Sequence, residues 1–352
     1  MTKLFITGAT GYIGGDSLAT LAAKHPDFSY AALVRTNEKA EQVKAQYPNV
    51  RIVLGYLDDS ALLEKESAAA DIVLHTADAS DHVSAAKAII AGLVSGHTKE
   101  HPGYLLHTGG TGILTWEDSD KNEYGNRSEK IYNDWDRVDE LLNLPDHAFH
   151  RNVDQIILDA GTQHADVLKT ALVCPPTIYG KRRGPCSQRG RQVYELANVT
   201  LRIKKGPIIG AGQSIWNNVH VHDLSDVYSL LVDAALAGRS DDGLWGAKAY
   251  YLTENGEHVC GELTQATADA AAKLGYIPEP KAEPIDLESA TKYAGFESLS
   301  WGMNSRGRSQ RPQDPRLEAV PTQSGGCCLR FFGVRGSLCK LLLDFRRGQG
   351  LR

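Results

Sequence analysis

Gly8, Gly11 and Gly14 recur at three-residue intervals in TGATGYIGG, Thr7 to Gly15, directly after the apolar run Leu4-Phe5-Ile6. A glycine at the first position allows a tight turn, and at the second it lets backbone approach a pyrophosphate. At the third it lets helix and strand pack closely. The helix that follows presents free N–H groups and a partial positive charge to phosphates. This strand–turn–helix setting points to a dinucleotide held by Thr7, Gly8, Thr10, Gly11, Tyr12, Ile13 and Gly14.

The next strand-like run ends in Val34-Arg35-Thr36, with no acid at its tip. An acid there binds the ribose hydroxyls of NAD, whereas Arg accommodates a 2′-phosphate. Arg35, with Lys39 close behind, therefore favours NADP(H), with NAD as the alternative. Asp58, in GYLDD, either accepts a hydrogen bond from an adenine amine or caps the following helix. His220 and His222 suggest a metal, but a zinc site needs at least one more ligand, and Asp223 reads better as a helix cap; no metal is expected.

The elements that must position these groups alternate. Strand-like runs at 3–7, 31–34, 50–54, 71–74, 104–106 and 171–173 enclose helical patterns at 13–24, 38–46, 60–67, 83–94 and 150–165. That order implies an α/β fold, a doubly wound parallel sheet of Rossmann type, with a smaller C-terminal substrate lobe. The dinucleotide-binding domain is placed at 1–175, with 219–253 contributing back to it, and the lobe mainly at 176–300. The acidic segment 116–144 reads as an insertion with one short helix near 134–142. A helix is expected over 187–204, and another after NVHVHDL, capped by Asp223.

The net charge of -5 over 352 residues gives no reason to expect nucleic acid or an acidic membrane as partner. No run approaches the roughly 18 apolar residues of a membrane span. Six cysteines without CxxC spacing, and a start that runs straight into a strand, suit a reducing cytoplasm. Residues 301–352 differ: ten Lys/Arg stand against three Asp/Glu, periodicity fades, and half the cysteines are there. The expectation is an atypical tail, not native to the fold beyond about Ser305.

In their order along residues 3–300, TGATGYIG, VRIVLGYLDD, DIVLHTAD, CPPTIYG and NNVHVHDLSDVY resemble the short-chain dehydrogenase/reductase superfamily. The extended and atypical branches, epimerase/dehydratase-like and NmrA-like, fit best. The resemblance implies an adenine contact at Asp58, a small-residue turn at Ala77 under the cofactor, and a nicotinamide-facing loop around Tyr179. It also implies a Tyr that protonates the substrate oxygen, a Lys four residues later, and a Ser or Thr that orients the carbonyl. No Tyr here has that Lys. Asp146 and His150 fall at the two positions, and Gly110 at that of the Ser, flanked by Thr108 and Thr111.

Two readings follow. In the first, an NAD(P)-dependent oxidoreductase acts on a carbonyl or alcohol of a small molecule with a rearranged acid. Tyr179 is then preferred over Tyr124 or Tyr132, with Thr108 orienting the carbonyl and His150 assisting. In the second, a non-catalytic NADP(H) sensor of NmrA-like type dispenses with the pair. Nucleotide-sugar epimerisation is disfavoured, because it needs the same Tyr.

Overall fold

The computed structural model describes residues 1–187 and 189–311. Up to Thr108, strands and helices alternate: β1 (Lys3–Thr7), α1 (Tyr12–Lys24), β2 (Ser29–Val34), α2 (Asn37–Gln46), β3 (Arg51–Leu54), α3 (Ser60–Ala68), β4 (Ile72–His75), α4 (Val83–Gly96) and β5 (Gly103–Thr108). The acidic segment holds α5 (Trp116–Lys121), β6 (Tyr132–Asn133) and α6 (Val138–Leu142), more structure than the one helix expected. Then come α7 (Arg151–Gln163), β7 (Leu168–Cys174) and β8 (Thr177–Tyr179). The remainder runs α8 (Gln192–Ile203), β9 (Gly206–Ile209), β10 (Ile215–His220), α9 (Val221–Leu236), β11 (Tyr250–Leu252), β12 (Glu257–Val259), α10 (Cys260–Lys273), β13 (Ala282–Ile285), α11 (Leu287–Ala294), α12 (Glu297–Ser300) and β14 (Gly307–Arg308).

The central sheet is parallel, in the order β11-β7-β5-β4-β1-β2-β3. Its strands are apolar at both parities because both faces are covered. Phe5, Val73, Leu105 and Leu172 pack on the side of α3, α4 and α7. Leu4, Ile6, Leu74, Leu106 and Val173 pack on the side of α1 and α9. The strand order reverses between β1 and β4, opening the crevice in which such sheets bind ligands. From the second half of the chain, α9 packs on α1 and β11 forms a sheet edge.

Three local expectations are corrected. α8 starts at Gln192 rather than near Ser187. The cap of α9 is His220, whose Nδ1 accepts from the His222 N–H, while Asp223 lies inside the first turn and accepts from Asn255. The packed chain also continues past Ser305. Ser305 is 1% exposed, β14 pairs with β6, and Arg311 donates to the Tyr250 carbonyl while stacking 4.0 Å from the Tyr251 ring. Periodicity missed this strap because it is held by polar contacts and not by an apolar face. Residues 312–352, with Cys327, Cys328 and Cys339, lie outside the described residues. Among the described residues no helix is long and apolar enough to cross a membrane.

Candidate active site

The glycine loop occupies the reversal point of the sheet. Gly8 has φ +80°, a left-handed conformation suited to glycine, and its carbonyl accepts from the Gly11 N–H at 2.7 Å. A Cβ on Gly14 would stand 2.3 Å from Thr76 Oγ1 and 2.5 Å from the Gly8 carbonyl oxygen. No side chain caps α1 behind Gly11. The cradle thus fits a phosphate group approaching backbone at a helix N-terminus. Thr7 braces it: its hydroxyl meets His75 Nδ1 at 2.7 Å and accepts from the N–H groups of Thr76 and Ala77. Tyr12 donates to the Gly180 carbonyl and Ser187 to that of Thr10, drawing the loop after β8 across the glycines. Ile13 packs into the core beneath.

Arg35 is exposed just beyond β2, and Lys39 lies in the first turn of α2, capped by Thr36. Asp59 rather than Asp58 caps α3, at 3.1 Å from the Leu62 nitrogen, so Asp58 is left exposed near His82 Nε2 at 3.4 Å. Among the described residues no cluster of His, Cys, Asp and Glu could hold a metal.

On the α7 side of the sheet a second group of residues converges. His150 precedes α7 with φ +70° and donates from Nδ1 to Asp81 at 2.7 Å, or accepts there if that carboxyl is protonated. Burial pushes the Asp81 carboxyl up, but the hydrogen bond and charge of His150, the Ser80 hydroxyl and the charge of Arg191 together outweigh it and the net shift is downward, so Asp81 is the acceptor. That leaves Nε2 toward the glycine turn after β5. A Cβ on either Gly110 or Gly112 would lie 3.3 Å from Nε2. Thr111, between them, is 3% exposed and its hydroxyl has no partner. Its backbone is fixed, the N–H to Pro175 at 3.1 Å and the carbonyl to the Ser305 hydroxyl at 2.6 Å. Beneath lies Asp154, one oxygen accepting from Tyr250 at 3.1 Å and the other without a partner. Burial pushes the Asp154 carboxyl up to about 7, against the opposing charge of His150.

The structure sets His150 against the glycine turn that holds Thr111 and adds Asp81, Asp154 and Ser305, none of which stood out in the sequence. The polar loop ADASDH after the fourth strand was the available signal for Asp81. Thr108 goes elsewhere. Strand alternation turns it to the α9 side, where its hydroxyl meets Tyr228 at 2.7 Å. Tyr179 ends β8 with its ring 5.3 Å from that of His220.

A parallel sheet that reverses over such a cradle defines a dinucleotide-binding oxidoreductase fold. Residues 8–130 match the NAD(P)H-binding family. The chain is similar to oxidase ucsJ of Acremonium sp, 39% identical over 88% of this chain and 90% of that protein. Among solved structures it resembles the NAD-bound dTDP-glucose 4,6-dehydratase DesIV of Streptomyces venezuelae, with TM-score 0.63 and 16% identity over 99% and 98% of the two chains. UDP-glucose 4-epimerase of Thermotoga maritima aligns with TM-score 0.59 and 14% identity over 99% of each chain. The chain belongs to the family of that Acremonium oxidase, NAD(P)-binding oxidoreductases, and shares the fold of the dehydratase and epimerase structures.

Proposed function

We propose that the chain interconverts a carbonyl and an alcohol on a small molecule, with His150 as the acid–base group at the substrate oxygen. The observation that carries this reading is the Asp81–His150 pair at 2.7 Å, with Nε2 facing the turn that holds the unpartnered Thr111 hydroxyl. A nicotinamide, when bound, supplies or takes the hydride. Asp81 fixes the imidazole with its proton on Nδ1 and compensates the charge of the imidazolium, as an orienting carboxylate does in other acid–base sites. Nε2 then gives a proton to the oxygen during reduction, or takes it during oxidation. Thr111 orients that oxygen by hydrogen bonding. The dyad replaces the missing Tyr–Lys pair, and Tyr179 becomes a neighbour of the cofactor loop. The name oxidase borne by the Acremonium relative supports redox chemistry. Arg35 favours NADP(H), and a cytoplasmic setting suits the cysteine usage.

The test is a panel of aldehydes, ketones and secondary alcohols followed at the nicotinamide absorbance, with NADPH and NADH affinities measured in parallel. Turnover that disappears in His150→Gln supports the reading. Tight NADPH binding with no turnover of any member would sink it and favour the sensor.

A further inference from the structure

Phe149 and Phe296 are exposed, at 37% and 49%, yet their rings meet, tilted by 38° with centroids 4.5 Å apart. They come from different parts of the chain. Phe149 precedes His150 ahead of α7, and Phe296 joins α11 to α12 in the smaller lobe. The Phe149 ring also lies against the His150 ring, centroids 3.7 Å apart. Gly112 makes room for it, since a Cβ there would stand 2.9 Å from Phe149 Cδ1. Beside Phe296, Glu297 pairs with Arg191 at 3.0 Å, giving the aromatic pair a charged rim.

Aromatic surface left in water forgoes roughly 25 cal/mol per Å² of burial. Apolar walls around a few convergent polar groups are what small-molecule sites present. Here the polar group is His150 Nε2, and the apolar walls begin on the ring packed against it. We propose that Phe149 and Phe296 form an aromatic clamp selecting a substrate with a planar apolar ring next to its reacting carbonyl or carbinol. The inference rests on His150 marking the reaction centre. A substrate ring seated on Phe149, with Phe296 moved aside or closing over it, brings an attached carbonyl beside Nε2. Offset or edge-to-face stacking supplies the orientation.

The probe is 2-naphthaldehyde, its binding measured by equilibrium dialysis in the presence of NADP⁺, which cannot reduce it. Propanal is the small aliphatic comparison in turnover with NADPH. Phe149→Ala and Phe296→Ala should each weaken naphthaldehyde binding by about tenfold, and Phe296→Leu by less. The preference for naphthaldehyde over propanal in kcat/KM should fall in parallel. Equal binding by the wild type and both folded alanine variants overturns the clamp, and Phe296→Leu gives the same reading if an alanine variant does not fold. Propanal turnover without naphthaldehyde binding would reject the clamp and leave the oxidoreductase reading standing. Binding that depends on both rings without turnover of either aldehyde would do the reverse.

Discussion

The glycine cradle and the His150 cluster both lie beyond the C-terminal ends of the sheet strands but are built in opposite ways. The cradle is one continuous stretch, Thr7 to Gly14, whose backbone is shaped to fit a phosphate. Its requirement is space, visible in Gly14, where a Cβ would meet the Gly8 carbonyl oxygen at 2.5 Å. The His150 site draws Asp81, Thr111, His150 and Ser305 from four distant parts of the chain, and its requirement is side-chain direction. The first can therefore be wrecked by adding an atom without touching chemistry. The second can be silenced by exchanging a functional group while binding persists.

The largest expected effect tests that separation. His150→Gln should reduce turnover by about 10²–10⁴-fold, the usual worth of a positioned acid or base, with NADPH affinity unchanged. Asp81→Asn should cost less, since it leaves the imidazole in place but loses its orientation. Tyr179→Phe should stay close to wild type. A hundredfold loss in Tyr179→Phe with an active His150→Gln would reverse the assignment.

The strap is next in size. Chains ending at Arg311 and at Asn304 differ by the Ser305–Thr111 bond, the Arg306 contacts with Glu129 and Glu257, and the Arg311 contacts with backbone carbonyls. The charge-assisted hydrogen bonds from the buried Arg311 contribute about 1.5–3 kcal/mol each, while the exposed Glu129 pair adds little. The shorter chain should melt lower by roughly 5 °C or more in calorimetry. Equal melting would show that the strap does not brace the His150 site.

On the cradle side, Gly14→Ala should lose about 1–3 kcal/mol through overpacking and weaken both NADPH and NADH. Any turnover retained at saturating cofactor should keep the wild-type pH profile. A shifted profile would mean that the two regions are not separable.

These contrasts also explain what could be read in advance. The sheet was legible because apolar runs such as Leu4-Phe5-Ile6 and Ile72-Val73-Leu74 are bounded by turns, and the cradle because glycine spacing is a local steric demand. The His150 cluster was half legible. His150 surfaced by its position against a known pattern, but its hydrogen bond to Asp81 spans 69 residues and leaves no spacing to detect. The sequence favours Thr108 over Thr111 for the carbonyl, and only strand parity, which turns the Thr108 hydroxyl to Tyr228, argues the other way. The strap was hidden because Asn304, Ser305 and Arg306 are polar residues buried by specific partners.

Asp154 sharpens the comparison through pH. Its carboxyl keeps a proton up to about 7 in the folded chain, whereas in the unfolded chain it releases it near 4. Across that window the folded state binds more protons, so stability is full below about pH 4 and declines as pH rises through about 7. Asp154→Asn removes the titration. Its melting temperature should exceed the wild type by more at pH 8 than at pH 5, with a gain of at least about 2 °C at pH 8. The same offset at both pH values would show that the carboxyl is not held protonated under the His150 site.

The smallest effect belongs to the rim of the cradle. A glycine cradle offers the same backbone to the phosphates common to NADH and NADPH, so any discrimination is expected from groups at the tip of β2. Arg35 is exposed there with Lys39 one turn away, and the segment offers no acid to the ribose hydroxyls. A charge-assisted contact to a 2′-phosphate in solvent is screened by salt, so its advantage should be modest. NADPH should bind about tenfold more tightly than NADH at low ionic strength, with the ratio shrinking as salt is added. Arg35→Asp should erase or invert that ratio by repelling the 2′-phosphate and offering an acceptor to the ribose, while turnover at saturating cofactor stays with His150. Equal affinities in the wild type would remove Arg35 from cofactor selection and leave the glycine loop as the sole determinant of binding.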